Sequence, residues 1–402
     1  MRTRVNFLPI VFTLCALACL TTNTALAQSS ADEFRRILNQ KAAFEPADFA
    51  ALEQGQTIVK LTPVTDKREI AFCGLVSLRT SADNFLSTYL DSMTRQNNQT
   101  ILEAGRFGTA PAVADLQHLT IEPADIEDLK ACVAGDCQIK LSAKMIERLR
   151  HEVNWQAPDY QAKAAQLLKT MLADYVRDYV ARGPEALIEY NDKRDQVRLA
   201  DEQQALGSAS GYLNDLLRDA SSGLRVVEEA IIWSKVKFGL KPVLVINHVK
   251  AYRRDTGPQV LVASNQIYAN HYFTSSLALT AFVSVPGANP YLVYENRSRT
   301  DGLVGPFSKI KRRIIENKSV EGLKAILEHS KQSMEGSAYA AAEKTAMAVH
   351  QSSSWSQRLF GGVRPLLWVL VLSALAALLL LRRTEYIRYP MKEPRIDTRG
   401  KV

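Results

Sequence analysis

Short catalytic signatures are missing from this chain. It has no Walker A sequence and no G-x-G-x-x-G, the glycine-rich loops that cradle phosphates. At 207–211 the stretch "GSASG" carries Ala209 where a nucleophile elbow requires serine. "HEVNW", starting at His151, places Trp155 where the second histidine of a zinc helix belongs. These absences argue against the common enzyme classes, although catalytic side chains can converge from distant segments. Cysteine is scarce as well, with five in 402 residues, and neither a metal site nor a cofactor is expected.

Apolar runs mark both ends instead. Arg2 and Arg4 precede an apolar core from Val5 to Leu20, and Ala25-Leu26-Ala27 puts small residues at −3 and −1 of a cleavage after Ala27. Residues 1–27 therefore read as a secretory signal. Ala16-Leu17-Ala18-Cys19 is a loose lipobox, so lipidation at Cys19 competes with ordinary cleavage. Near the other end, "PLLWVLVLSALAALLLL", Pro365 to Leu381, runs 17 residues without a charge. As a helix that run spans roughly 26 Å, close to a bilayer core. A transmembrane helix is expected over 363–381, with Trp368 near the interface. The tail, 382–402, holds seven Lys/Arg against three Asp/Glu, which orients it to the cytoplasm. The expectation is a single-pass protein of the bacterial inner membrane with its N-terminal domain in the periplasm.

That topology reassigns the charge. The formal +8 sits mostly in the signal and the tail. Exported residues 28–362 are nearly neutral, which excludes electrostatic binding of nucleic acid. Of the cysteines, Cys73, Cys132 and Cys137 survive processing. In "CVAGDC", Gly135-Asp136 permits a tight turn, so Cys132 and Cys137 are expected to form a local disulfide with Cys73 left as a buried thiol. A redox role more typically uses C-x-x-C.

The exported chain divides by pattern. Residues 28–124 form an N-terminal α/β part: a helix over 31–43, strands in "QTIVKLTPV" and "REIAFCGLVSLRT", then a helix capped by Ser81 with Phe85, Tyr89 and Met93 on one stripe. Residues 125–240 read as helical, best in "DYQAKAAQLLKTMLADYVRDYVARG", with further helices over 185–205, 209–219 and 223–237. Residues 241–316 are β-rich and, being joined by tight turns, antiparallel, with one face on helices. Whether the run 259–284 breaks at Asn270 or Thr274 stays open. Two further helices follow, "KIKRRIIENK" and the "VEGLKAILEH" segment, with 317–362 as amphipathic helix, stalk and linker. The basic "KIKRR" reads as a solvated face. The expected class is α+β, an antiparallel sheet packed on helices with a large helical segment.

Polar groups interrupt the apolar strands. The pattern sets His248 with Leu244 and Ile246, and His271 with Ile267 and Phe273, while Tyr268, Asn270 and Tyr272 take the opposite face. Arg297, Arg299 and Asp301 close the last strand. One reading is a pocket with an aromatic wall and an arginine mouth, since a guanidinium fork binds an anionic group through two bonds. The plainer reading makes each histidine a satisfied core residue and Arg299–Asp301 an ion pair at a turn.

A strand pair, a helix from Ser81, a run of antiparallel strands and a terminal amphipathic helix resemble the START/SRPBCC lipid-binding arrangement over 56–93 and 243–333. That resemblance implies a curved sheet wrapped on a long helix around an apolar cavity, with the helical segment as an insertion. "WSKVKFGLKP", "QIYANHYF" and "ENRSRTDGLVGPF" are also similar to phrases of secreted, C-terminally anchored bacterial envelope proteins.

The leading expectation is a binding module for a lipid or other apolar ligand, with Tyr268, His271 and Tyr272 in its wall and Arg297 and Arg299 at its mouth. An alternative is an envelope enzyme with His248 or His271 as general base and Asp301 or Glu295 as orienting acid. Another is a scaffold of an inner-membrane complex. The expected partners are the bilayer, through the C-terminal helix, then an apolar ligand or membrane proteins.

Overall fold

A computed structural model describes residues 32, 34–92, 101–210, 224–238, 241–254, 260–284, 287–305 and 307–350. The expected signal, the stretch 363–381, the tail and the Asp255–Pro258 turn lie outside them. Among the described residues no helix is long and apolar enough to cross a membrane.

Helices α1 (34–42) and α2 (Pro46–Glu53) precede strands β1 (Ile58–Leu61) and β2 (Glu69–Ser77), helix α3 (Ala82–Ser92) and strand β3 (Ile101–Arg106). A helical insertion follows: α4 (Pro123–Ala131), α5 (Ala143–Glu152), α6 (Tyr160–Arg182), the short pair β4 (Glu189–Tyr190) and β5 (Val197–Arg198), and α7 (Leu199–Ala209). The chain then returns as β6 (Leu224–Phe238), β7 (Lys241–Arg254), β8 (Val260–Ala269), β9 (Phe273–Val283) and β10 (Tyr291–Thr300), and ends in α8 (Ser308–His350). Eight strands form one sheet in the order β1-β2-β10-β9-β8-β7-β6-β3. Every pairing in it is antiparallel. The molecule is α+β, a large antiparallel sheet packed with helices.

Several local expectations change or are settled. Residues 185–205, expected as helix, hold the pair β4–β5 and become helical only from Leu199. Residues 223–237, expected as helix, contain β6 instead. Val226, Val227, Ile231, Ile232 and Trp233 suit a pleated surface, and β6 pairs with β7 on one side and β3 on the other. β7 follows as a hairpin, but β3 lies far upstream in sequence, so a local pattern does not reveal that pairing. The run 259–284 breaks at 270–272, between β8 and β9. The two terminal helices are one, 43 residues long, or roughly 65 Å. Its buried stripe of Ile315, Ser319, Leu323, Ile326, Leu327, Ser330 and Met334 keeps helical spacing throughout.

Helices cover both faces of the sheet, where one was expected. We call the face under α3 and α8 the inner face. Its core joins Ile70, Phe72, Val76, Ile232, Val249, Val262, Phe282 and Tyr294 to Phe85, Tyr89 and the α8 stripe. Phe85 and Phe282 stack with centroids 5.4 Å apart. α8 seats on Gly74 of β2: a Cβ there would lie 2.5 Å from Leu327 Cδ1 and 2.9 Å from Leu323 Cδ2. Only glycine permits this approach of helix to strand. On the outer face, Leu38, Phe44, Phe49 and Leu52 pack on Leu75, Leu279 and Val293. Farther along, α4–α6 pack on Ile231, Trp233, Leu244, Ile246 and Tyr268.

The sulfurs of Cys132 and Cys137 stand at disulfide distance, with Cα atoms 4.5 Å apart. Gly135, at φ 87°, makes the turn between them. The turn docks on the insertion through Gly135 N–H to the Asn191 carbonyl (2.7 Å) and Cys137 N–H to that of Asp192 (3.0 Å). Cys73 is a free, buried thiol.

Candidate functional site: the inner face of the sheet

Side chains alternate across a strand, so β10 presents two different sets. Leu292, Tyr294, Asn296, Ser298 and Thr300 take the inner face, and Tyr291, Val293, Glu295, Arg297 and Arg299 the outer. The inner set continues sideways. Ser298 pairs with Ser276, and Asn247 pairs with Gln266. The β8–β9 ladder ends at Asn265–Leu277, so Gln266 and Ser276, one residue on, are also neighbours. Asn247, Gln266, Ser276 and Ser298 thus form an uncharged polar row across β7, β8, β9 and β10, and all four are buried.

Hydrogen bonding within this row is uneven. The Ser276 and Ser298 hydroxyls lie 2.9 Å apart, Ser298 donates to Asn296 Oδ1 at 2.8 Å, and Asn296 Nδ2 donates to Ser276 at 3.3 Å. That triangle satisfies its own members. Gln266, 2% exposed, has no partner for Nε2 among the described residues. Ser234 Oγ, on an inner-face position of β6, and Ser330 Oγ, on the buried stripe of α8, lack partners in the same sense. A buried donor without a partner is costly and rare in folded proteins. Sequence reading followed the charged residues and missed this row. Its only trace is a small neutral polar residue at alternate positions of four successive strands.

The expected arginines take the other face. Arg297 donates to Glu69 at 2.5 Å and to Glu295 at 3.1 Å. Arg299 donates to Glu202 of α7 at 2.7 Å and lies 3.5 Å from Asp66. Arg68 joins Asp66 at 2.8 Å and Glu202 at 3.2 Å. Ser210, at the end of α7, donates to Glu295 at 2.8 Å. Burial raises the Glu295 pKa, against the pull of Arg297 and the Ser210 bond. The Arg68 bond holds Asp66 below the usual carboxylate range. Arg297 and Arg299 are therefore committed to carboxylates of the chain itself. Cys73 sits opposite Glu295, and burial pushes its thiol well up, away from nucleophilic character.

The remaining expected residues separate from both sets. A register shift between Ile246 and Asn247, which leaves Ile267 unpaired, turns Tyr268 outward. There its ring lies 6.4 Å from that of Tyr190, fully buried. His271 meets Asp125 of α4 at 3.0 Å, and Asn270 donates to the same carboxylate at 3.2 Å. A cavity of about 10 Å³ beside Asp125, Asn270 and Lys235 has room for one water. Tyr272, at φ 56°, occupies the β8–β9 turn and accepts the Lys241 N–H at 3.3 Å. Tyr268 and His271 thus face the insertion while Arg297 and Arg299 lie under α7.

Of His248 and His271, His248 is the one with reach toward solvent. Its Nε2 lies 2.7 Å from Glu229 Oε1 and its Nδ1 2.8 Å from the Tyr179 hydroxyl. Lys250 also meets Glu229, at 3.0 Å. Burial lowers the His248 pKa, although the Glu229 bond opposes it. Burial, with Glu229 nearby, pushes Tyr179 up to about 12. The carboxylate beside His248 is thus Glu229, where Asp301 or Glu295 was expected. Compared with known proteins, the chain matches no family model, no curated protein and no solved structure.

Proposed function

We propose that this chain is a binding module for a lipid or another apolar ligand, held between the inner face of its sheet and α3 and α8. The observation that carries the reading is a buried polar row, Asn247–Gln266–Ser276–Ser298, on the face whose apolar core is shared with α3 and α8. An apolar ligand needs such a layer for its tail and a few convergent polar groups for orientation. The return of α8 onto the first strands supports the START/SRPBCC resemblance, in which sheet and helix enclose the ligand. Secretion through residues 1–27 and anchoring through 363–381, with a cytoplasmic tail, complete the proposal and put the module in the bacterial periplasm at the inner membrane.

Mass spectrometry of solvent extracts tests it. Residues 28–350, exported without the apolar stretch, should carry a stoichiometric lipid through purification. A folded protein with no bound apolar molecule would reject the reading.

A second reading rests on Glu229–His248–Tyr179. An imidazole held by a carboxylate on one nitrogen is arranged as a general base. A His248→Gln chain that reproduces the phenotype of a deletion would favour an enzyme; one that behaves as wild type removes it.

A further inference from the structure

We infer that the ligand's head group is uncharged and carries a hydrogen-bond acceptor, such as a hydroxyl, ester, amide or quinone oxygen, read by the Gln266 carboxamide. The inference rests on the binding reading above and narrows its ligand class.

Two independent features point this way. The first is that the cations on both faces are already paired. On the inner face Arg106, which continues the row on β3 beyond Ile232, joins Glu228 at 2.7 Å, and Arg253 joins Asp83. Arg297, Arg299, Glu69 and Glu295 all lie on the outer side and neutralise one another. None of Asn247, Gln266, Ser276 and Ser298 ionises. The helical residues buried against the inner face are Phe85, Tyr89 and the α8 stripe, and none of these carries charge at neutral pH. Arg312, at the start of α8, donates to the carbonyls of Lys67 and Glu69 and to the Glu316 carboxylate. A phosphate or carboxylate buried beside the row would lack a counter-ion, and an unpaired buried charge costs far more than a neutral polar group.

The second feature is the unmatched donor. The Ser276–Ser298–Asn296 triangle closes on itself, whereas Gln266 Nε2 is left with a proton and no acceptor among the described residues. The Gln266 backbone is fixed independently, by its pairing with Asn247 and by a 2.7 Å bond from Gln203 Nε2 to its carbonyl. A rigid backbone with an unanswered side-chain donor is a pre-formed contact for a ligand oxygen.

The experiment uses the full chain in phosphatidylcholine vesicles with two photoactivatable probes, a diacylglycerol and a phosphatidylglycerol of the same acyl chains. Crosslinks are mapped to peptides, so label on β7–β10 is counted apart from label on 363–381. The diacylglycerol should label the strands at least about fivefold more than the anionic probe. Gln266→Leu should lower that label about fivefold, the worth of one hydrogen bond, while label on 363–381 stays constant. Gln266→Met, which keeps the length of the side chain without its donor, should retain folding and lower the diacylglycerol label to the same extent.

Equal or stronger strand labelling by phosphatidylglycerol overturns the uncharged class. Undiminished diacylglycerol labelling in a folded Gln266→Leu chain overturns Gln266 as the reader. Strand label from neither probe, with 363–381 labelled by both, rejects the binding reading itself and this inference with it.

Discussion

β10 buries ten consecutive residues and treats its two faces in opposite ways. Outward, Glu295, Arg297 and Arg299 are ions, each paired with an opposite charge. Inward, Asn296, Ser298 and Thr300 are neutral, and the row through Ser298 holds a donor, Gln266 Nε2, with no partner among the described residues. The difference teaches where a guest can be admitted. A buried ion must be matched within the chain, because leaving it unmatched costs several kcal/mol. A buried amide costs about 1–3 kcal/mol when unmatched, which a fold can carry and a ligand can later relieve. The ionic face holds α7 on the sheet, although Arg299 Nε and Ser275 Oγ there also lack partners among the described residues; the neutral face is the one we propose receives a ligand.

Breaking the ionic face should give the largest effect. Arg297→Met leaves Glu69 and Glu295 without their shared guanidinium, and the chain should lose roughly 3–5 kcal/mol in chemical denaturation. Ser298→Ala, its neighbour on the neutral face, should lose only about 1 kcal/mol. Equal losses at the two sites would erase the contrast. Next in size is the seat of α8. Gly74→Ala drives a methyl into Leu323 and Leu327 and should cost about 1–3 kcal/mol, read as a lower Tm. Adding Leu327→Ala should recover part of that loss; no recovery would mean that the helix does not rest there.

The smallest effect concerns His248. Burial holds its folded pKa below the ordinary 6.5, so the unfolded chain takes up the proton first as pH falls. Stability contributed by the neutral ring is therefore present above 6.5 and declines below it, until the folded chain protonates too. Tm measured from neutral to about pH 5 should fall less steeply in His248→Gln than in wild type. An unchanged slope would show that His248 does not report on the packing of α6 against β7.

Local signals located most elements. The Ser81 hydroxyl accepts the Asn84 N–H as an N-cap, as "SADNF" implies, and the stripe of α6 is buried as its spacing requires. Cys132 and Cys137 meet across a turn that Gly135 and Asp136 announce. β6 was misread because its hydrophobic residues satisfy a helical stripe nearly as well as a strand, and only pairing with β3 and β7 decides between them. The candidate site was hardest to read. Arg297 and Arg299 drew attention as free cations, but their carboxylate partners sit as far away in sequence as Glu69 and Glu202.

The sequence by itself determined the strands β7 to β10, the helix α6, the turn between the two cysteines and the apolar ends of the chain, because periodicity, turn residues and uninterrupted hydrophobicity act over a few residues. Tertiary structure decided which side of each strand is which. The irregularity at Ile267 turns Tyr268 outward, and the arrival of α7 converts two arginines into parts of a closed ionic network. Strand pairing lines up Asn247, Gln266, Ser276 and Ser298 in one buried row on the inner face, the row we propose meets a ligand. Those outcomes depend on charge and hydrogen-bond partners that meet only when the chain is folded.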